Sequence, residues 1–218
     1  MKTKILTSFL ILTALIGFAC NSQNSVNNSY SKMNHDQMNH GNMNHQNMNH
    51  DRMNHSEMKN SPNAANAPYD LQFLDTMIAH HQGAVDMAKM VESKGGHAEL
   101  KTLAKSIIAS QEKEISEMKS WREKWFAGQP AAMNMEISGM ADSMKGMNMK
   151  KLDSLSGNAY DLEFIRQMIP HHEGAVVMAK ESLQKSQKAE IRTLANSIIK
   201  DQDAEIKRMQ DWQTSWNK

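Results

Sequence analysis

Two stretches of the chain after Pro68 carry apolar residues at the spacing of an amphipathic helix. The first stripe ends at the stop signal Gly95-Gly96 and the second ends before Gly128 and Pro130. The first stripe contains Asp70, Phe73, Leu74, Met77, His81, Ala84 and Ala88. The second contains Leu100, Leu103, Ala104, Ile107, Gln111, Ile115, Met118 and Trp125. The pattern predicts a helical hairpin over residues 69–126.

The same pattern returns later in the chain at a constant offset and without a gap. Tyr69, for example, returns as Tyr160, and Trp125 returns as Trp216. So many identities at one offset indicate a duplicated unit, with a second hairpin over residues 160–218. A single hairpin cannot bury both of its stripes, whereas two hairpins packed together share a core. We therefore expect an all-α fold, a four-helix bundle built from two duplicated hairpins.

Residues 127–159 connect the two predicted hairpins and are rich in methionine, glycine, serine, asparagine and lysine. This composition fits either a short helix or a mobile connection. A linker of this length also means that the hairpins need not be simple up-and-down neighbours. The methionines of the linker are Met133, Met135, Met140, Met144, Met147 and Met149.

Residues 20–68 contain almost no aliphatic side chains and predict a disordered tether. A Met-Asn-His pentad recurs in it, and its five-residue period builds no continuous apolar side on a helix or a strand. The five-residue repeat therefore indicates a high density of potential metal ligands rather than a packed structure. The methionines and histidines of the pentads are Met33, His35, Met38, His40, Met43, His45, Met48, His50, Met53 and His55.

The N-terminus resembles an export signal. Lys2 and Lys4 precede an apolar run that is short for a membrane span and that reaches Cys20, the chain's one cysteine. We expect residues 1–19 to be removed and Cys20 to carry a lipid, which places an exported lipoprotein in the cell envelope, facing the periplasm or the cell exterior. The alternative is an ordinary cleaved signal with an incidental cysteine. The formal charge of +1 gives no indication of nucleic-acid binding.

Twenty methionines and ten histidines among 218 residues direct attention to metal binding. Cu(I) and Ag(I) prefer sulfur donors, and imidazole binds both oxidation states of copper. If Cys20 is acylated, thioether and imidazole groups are the soft ligands that remain. Methionine is otherwise a core filler. We expect core packing not to explain the methionines of the tether and the linker, because no core is predicted there. In those two segments the alternative to metal binding is a tag-like or crowding repeat.

Within the predicted bundle, the candidate ligands centre on the pair His80-His81 and its copy His171-His172. Met77 lies one helical turn before His81 on the core stripe, so the two can chelate one ion. His80 and Met87 lie two turns apart along the edge of the stripe. The duplicated candidates are Met168 and Met178, and Met118 and Met209 are further ligands or packing residues. Hydrogen-bonded core histidines are the alternative.

Polar residues on the second helix of each unit are candidate supports for the histidines. Buried polar groups need partners, and the facing histidines are the obvious ones. Direct ligation by the glutamates stays open. These residues are Gln111, Glu114, Gln202 and Glu205. Pro170 replaces Ala79 before the second histidine pair, and a kink there would make the two sites differ.

One motif begins at Tyr69 and again at Tyr160, and it reads Tyr-Asp-x-x-Phe-x-x-x-Met-Ile-x-His-His-x-Gly-Ala-Val-x-Met-Ala-Lys. A second motif follows each copy and reads Gln-x-x-Glu-Ile-x-x-Met-x-x-Trp. Both strings resemble the family catalogued as domain of unknown function 305. The resemblance implies a ferritin-like four-helix fold and a relation to periplasmic copper-binding proteins of the CopM type. It also implies a copper role for Met77, His80, His81, Met87 and Met118 and for their duplicates.

The leading hypothesis is a non-enzymatic protein that sequesters Cu(I) or delivers it to a copper-handling partner, contributing to copper tolerance, with Cu(II) and Ag(I) as further ions. A ferritin-like redox enzyme is the second hypothesis. Di-iron centres of that kind use Glu-x-x-His pairs, and the sequence contains none. A structural or partner-binding module is the third, and it predicts that replacing both histidine pairs leaves metal affinity unchanged.

Overall fold

The computed structural model describes residues 58–217, which form six α-helices and a short 3-10 helix at Ala64–Asn66. The four long helices are α1 (Tyr69–Lys94), α2 (Ala98–Phe126), α5 (Gly157–Lys185) and α6 (Ala189–Trp216), and the two short ones are α3 (Met140–Met144) and α4 (Met149–Asp153). The predicted all-α bundle of two hairpins is confirmed. The signal segment, Cys20 and the pentads lie outside the described residues.

Each hairpin forms by local packing, α1 on α2 and α5 on α6, and the hairpins join where α1 packs on α5. The end of α1 meets the start of α5, because Gly95 bridges to Gly157 and the Tyr160 hydroxyl donates to the Met87 carbonyl at 3.3 Å. The two helices are therefore antiparallel. No helix within residues 58–217 has the combination of length and apolarity needed to cross a bilayer.

A buried aspartate fixes the turn between α1 and α2 to the second hairpin. The Asp161 carboxylate accepts from the backbone N–H groups of Gly96 and His97, and it lies 2.6 Å from the His97 ring nitrogen Nδ1. A Cβ at Gly96 would lie 3.0 Å from the Gly157 backbone, so the close approach of the two chain segments needs glycine here. This clasp sets the antiparallel register of α1 and α5.

The core contains two clusters of buried side chains, one on either side of the centre of the α1–α5 contact. We call them the Tyr160 cluster, which includes Leu103 and Phe164, and the Phe73 cluster, which includes Leu194. Each fully buried side chain of this size contributes about 1.5–3 kcal/mol relative to its exposed state. Both hairpins supply residues to both clusters, so neither stripe is left uncovered.

The linker packs onto the bundle, with α3 against α5. Asn134 fastens its first half, donating through Nδ2 to the Gln72 side chain at 2.7 Å and through its backbone to the Thr76 hydroxyl. The expectation that linker methionines have no core to fill is wrong for Met140, which is fully buried, and for Met147, which is 7% exposed. Apolar residues do not recur at a regular spacing in the linker. Its methionines nevertheless pack on the faces of α1 and α5 that α2 and α6 do not cover.

Two tryptophan pairs lie toward the ends of the second helices. Trp121 and Trp125 stack with ring centroids 5.8 Å apart in α2, and Trp212 and Trp216 stack at 5.0 Å in α6. Each pair has a partner from the loop that joins the two helices of the opposite hairpin. Lys188 lies over Trp125 at 4.3 Å, and the His97 ring stacks on Trp216 at 3.8 Å. The two ends of the bundle therefore repeat one arrangement, with a lysine over one tryptophan pair and a histidine ring over the other.

Candidate metal site

The antiparallel packing of α1 and α5 brings the two histidine pairs together in a row. Ring centroids are 6.1 Å apart for His81 and His80, 3.7 Å for His80 and His171, and 6.3 Å for His171 and His172. All four side chains are fully buried. Adjacent residues on a helix point about 100° apart, so one histidine of each pair faces the other hairpin while its neighbour faces α2 or α6.

The outer histidines of the row are held by carboxylates. His81 Nε2 lies 2.8 Å from Glu114 Oε2, and His172 Nε2 lies 2.8 Å from Glu205 Oε2. An ionised carboxylate only accepts, so Nε2 carries the hydrogen and Nδ1 carries the lone pair. Both Nδ1 atoms are buried and have no hydrogen-bond partner within residues 58–217.

A buried lone pair without a donor is costly in a folded protein unless something fills the position. A histidine that donates one ring N–H to a carboxylate is also the usual arrangement in which the other nitrogen binds a metal ion. The chemistry of His81 and of His172 therefore fits a metal ligand. Glu114 and Glu205 are predicted supports of the histidines, and the structure brings both to the rings.

Gln111 and Gln202 are also buried, but their side-chain oxygens have no hydrogen-bond partner among the described residues. The structure thus brings the glutamates of α2 and α6 to the histidines and leaves these glutamine oxygens apart. The role of the two glutamines as supports of the histidines stays a prediction.

Six predicted methionine ligands are fully buried and divide between the two core clusters. The spacing along one helix pairs Met77 with His81 and Met87 with His80, and this pairing stays a prediction. The structure also groups methionines across the hairpins, because the antiparallel contact places the start of α1 beside the end of α5. The Phe73 cluster holds Met77, Met118 and Met178, and the Tyr160 cluster holds Met168, Met209 and Met87.

His80, which the helical spacing places along the edge of the core stripe, is fully buried. The linker is the reason, since α3 brings Ser143 Oγ to 3.1 Å from His80 Nε2. Sequence reasoning missed Ser143, and nothing in the sequence marks it, because it lies in a segment without periodicity or motif.

Buried thioethers are the other soft donors in the core of the bundle. Within the described part of the chain, no group of three or more His, Cys, Asp or Glu side chains is placed to hold a metal ion. Cu(I) and Ag(I) accept thioether ligands readily, whereas harder ions call for oxygen. The donor set of buried imidazoles and thioethers therefore fits a soft cation.

A groove of about 500 Å³ lies between α2 and α6 and opens to solvent. Glu114 lines it and also holds His81, so a single side chain joins the groove to the histidine row. Glu117, Glu190 and Asp201 line the same groove together with Lys113. This excess of carboxylates attracts cations.

The family described as Domain of unknown function (DUF305) matches residues 19–122 and 70–213 of the chain. Among solved structures, CopM in its Cu(I)-bound form is 41% identical, with a TM-score of 0.58, and the match covers 67% of this chain and 96% of CopM. CopM has also been solved with Cu(II) and with Ag bound.

A DUF305 protein from Streptomyces coelicolor that is thought to be secreted is 28% identical, with a TM-score of 0.60, and the match covers 68% of this chain and 92% of that one. The uncharacterized protein L153 of Acanthamoeba polyphaga mimivirus is 43% identical over 51 residues, which are 23% of this chain. The match spans 34% of that viral protein.

Proposed function

This chain belongs to the DUF305 family, and from that premise we propose that it is an exported copper-binding protein that sequesters or delivers Cu(I) through methionine and histidine side chains. Cu(II) and Ag(I) are further ions that it would bind. The role is binding and transfer of an ion rather than catalysis.

The observation that carries the proposal is the buried Nδ1 atom of His81, which has no hydrogen-bond partner among residues 58–217, and the same feature at His172. In each case the opposite ring nitrogen is held by a carboxylate, which orients the ring. The same arrangement occurs twice, once in each repeat, which a chance packing defect does not explain.

Buried thioethers on the same helices as these rings support Cu(I) as the preferred ion. Met77 precedes His81 by one helical turn, and Met168 stands in the same relation to His172. Sulfur carries no competing proton and prefers a soft cation, and the buried setting keeps water from competing for it. Two sites, one in each repeat, follow from this arrangement.

Relatives support both the ion and the location. CopM, which is 41% identical to this chain, has been solved with Cu(I), Cu(II) and Ag bound. The Streptomyces coelicolor relative is thought to be secreted, in agreement with the export signal predicted here. We propose in addition that Cys20 carries a lipid that anchors the protein in the cell envelope, and that a copper-handling partner exchanges ions with it.

The pentads between Met33 and His55 would capture ions at many weak sites ahead of the bundle. Their role rests on the ligand chemistry of methionine and histidine alone, since they lie outside the described residues. A capture role predicts that the tether sets much of the copper capacity, and that the bundle sets the highest affinity.

The test is retention of Cu(I) by the full reduced chain under anaerobic conditions, measured by native mass spectrometry in competition with a chelator. We expect the wild type to keep Cu(I) and a variant with all four row histidines changed to alanine to lose the tightest sites. His97→Gln is the matched control, because it removes a histidine outside the row and keeps the backbone N–H groups that donate to Asp161. Loss of Cu(I) from the wild type to a feeble chelator would overturn the proposal.

A second variant tests the tether in the same assay. Changing the five pentad methionines to leucine in the full chain keeps side-chain size and removes the thioethers. We expect a lower number of bound ions with the tightest sites intact. An unchanged number of ions would refute the capture role and leave the bundle sites standing.

A further inference from the structure

Helix α3 of the linker docks against α5 by a close approach of two backbones. A Cβ built at Gly174 would lie 2.3 Å from the Ser143 Cβ and 2.6 Å from the Gly139 carbonyl oxygen. Neither contact is possible for a larger residue without a shift of α3. Gly174 thus lets the linker lie flat on α5 and places Ser143 over the centre of the histidine row.

The hydroxyl of Ser143 has its one hydrogen already committed. Ser143 Oγ donates to the Met140 carbonyl oxygen at 2.7 Å, and a carbonyl can only accept. The same Oγ lies 3.1 Å from His80 Nε2. With its hydrogen used, Oγ acts as an acceptor toward the ring, so Nε2 of His80 carries the hydrogen and Nδ1 carries the lone pair.

We propose that Ser143 is a positioning residue of the metal site, which holds His80 as the Nε2–H tautomer and so makes Nδ1 the nitrogen that binds Cu(I). This inference rests on the proposed function. It gives His80 the same tautomer as His81 and His172, but from a neutral hydroxyl rather than from a carboxylate. Which nitrogen of a histidine binds a metal is set by the hydrogen bond that the other nitrogen makes.

The linker also distinguishes the two repeats. The hairpin occurs twice in the chain and the linker once, so the contact made by Ser143 falls on His80 and not on the equivalent His171. His80 and Ser143 are both fully buried, and solvent therefore does not compete for this hydrogen bond. The two copper sites predicted from the duplication then differ in affinity, with Ser143 acting on one of them.

The experiment compares the full wild-type chain with Ser143→Ala and with Ser182→Ala. Ser182 is the matched control, because it is a fully buried serine that donates to a backbone carbonyl, that of Ala179, at 2.8 Å. Two quantities are measured, the tautomer of His80 from its ring 15N shifts in the copper-free protein and the Cu(I) affinity of each site by chelator competition.

We expect Ser143→Ala to turn the single Nε2–H tautomer of His80 into a mixture and to weaken one Cu(I) site about 10- to 100-fold, as loss of such supporting contacts typically does. Ser182→Ala should change neither quantity. A pure Nε2–H tautomer in Ser143→Ala, or a mixed tautomer with unchanged affinities, would overturn the inference. Absence of Cu(I) binding by the wild type itself would overturn the proposed function as well.

Gly174→Ala provides a second route to the same result. The added methyl group displaces α3, so Ser143 is still present but no longer reaches His80. We expect the tautomer mixture and the affinity loss of Ser143→Ala to return in this variant. A Gly174→Ala protein with wild-type spectra and affinities would contradict the role of linker docking.

Discussion

The imidazole rings of His80 and His171 lie face to face at the centre of the molecule, with centroids 3.7 Å apart and planes tilted by 30°. These residues occupy the same position in the two repeats, so the hairpins meet at an approximate two-fold axis that passes between the rings. The division of methionines follows the same symmetry, since Met77 shares a cluster with Met178 and Met87 shares one with Met168. The junction of the repeats and the candidate metal site are therefore one structure.

The contact between the two rings predicts coupling in stability. We expect His80→Ala and His171→Ala each to destabilise the copper-free protein, and the double variant to differ from the sum by about 1 kcal/mol, as is typical of residues in contact. Urea unfolding of the four proteins gives the coupling free energy. His80→Ala combined with His97→Ala should instead be additive within about 0.5 kcal/mol, because His97 lies at the end of the bundle. Additivity in the first pair would show that the ring contact contributes nothing.

The carboxylates behind the outer histidines should matter for copper and little for folding. Glu114→Gln and Glu205→Gln replace a charged acceptor by a neutral one, and we expect each to lower Cu(I) affinity at its site by about 10- to 100-fold. Glu117→Gln is the control, since Glu117 lines the same groove as Glu114 one turn further on and lacks the contact with His81. Chelator competition measures the affinities. An equal loss in Glu117→Gln would mean that the charge of the groove, rather than the hydrogen bond, sets the affinity.

The ion pairs of Glu163 on α5, with Lys151 of α4 and Arg166 of α5, predict that stability depends on pH in the acid range. The hydrogen bond from the Arg166 guanidinium, with further help from Lys151 and Gln167, lowers the pKa of Glu163 from its ordinary value of 4.5 to about 2. A carboxyl with a lowered pKa in the folded state stabilises the protein above pH 4.5, and this contribution is lost as the pH falls from 4.5 toward 2.

Glu163→Gln should therefore cost about 1 kcal/mol near neutral pH, a small value because both cationic partners are half exposed and screened by solvent. The difference from wild type should vanish near the lowest pH, in urea unfolding followed as a function of pH. Glu112→Gln, which breaks an exposed pair with Lys89, should show no such dependence. A constant difference between Glu163→Gln and wild type at all pH values would exclude the ion pair as its source.

Burial of the linker predicts that its methionines support folding. Met140→Ala removes a fully buried side chain from the Phe73 cluster, and we expect a loss of about 2–5 kcal/mol. Met133→Ala, in the same segment, removes a half-buried side chain and should cost clearly less. The midpoint of thermal unfolding ranks the two variants. Equal, small losses would indicate that the linker does not contribute to the core.

Sequence periodicity was sufficient for the parts of the fold that repeat. The stripes around Met77 and Met118 predict two long helices, and their duplication predicts a second hairpin that covers the first. The pairing of His81 with Glu114 was also predictable, because both residues lie on stripes that face one another within one hairpin. Interactions within one repeating unit can therefore be inferred from spacing.

Interactions between units could not be inferred in this way. The grouping of Met77 with Met178 depends on the antiparallel direction of α1 and α5, which the Asp161 clasp determines and no stripe encodes. The burial of His80 depends on a linker whose sequence has no period, and Ser143 belongs to no motif. The residues that sequence analysis missed are those whose positions depend on the chain between the repeats.

The tryptophan pairs give each end of the bundle an optical signal of its own. Stacked indoles at 5.0 Å and 5.8 Å couple in the near-ultraviolet, and one pair is covered by an imidazole ring while the other is covered by an ammonium group. The loop that carries His97 covers Trp216, whereas the loop that carries Lys188 covers Trp125. Loosening of one end therefore changes the surroundings of a different indole pair from loosening of the other.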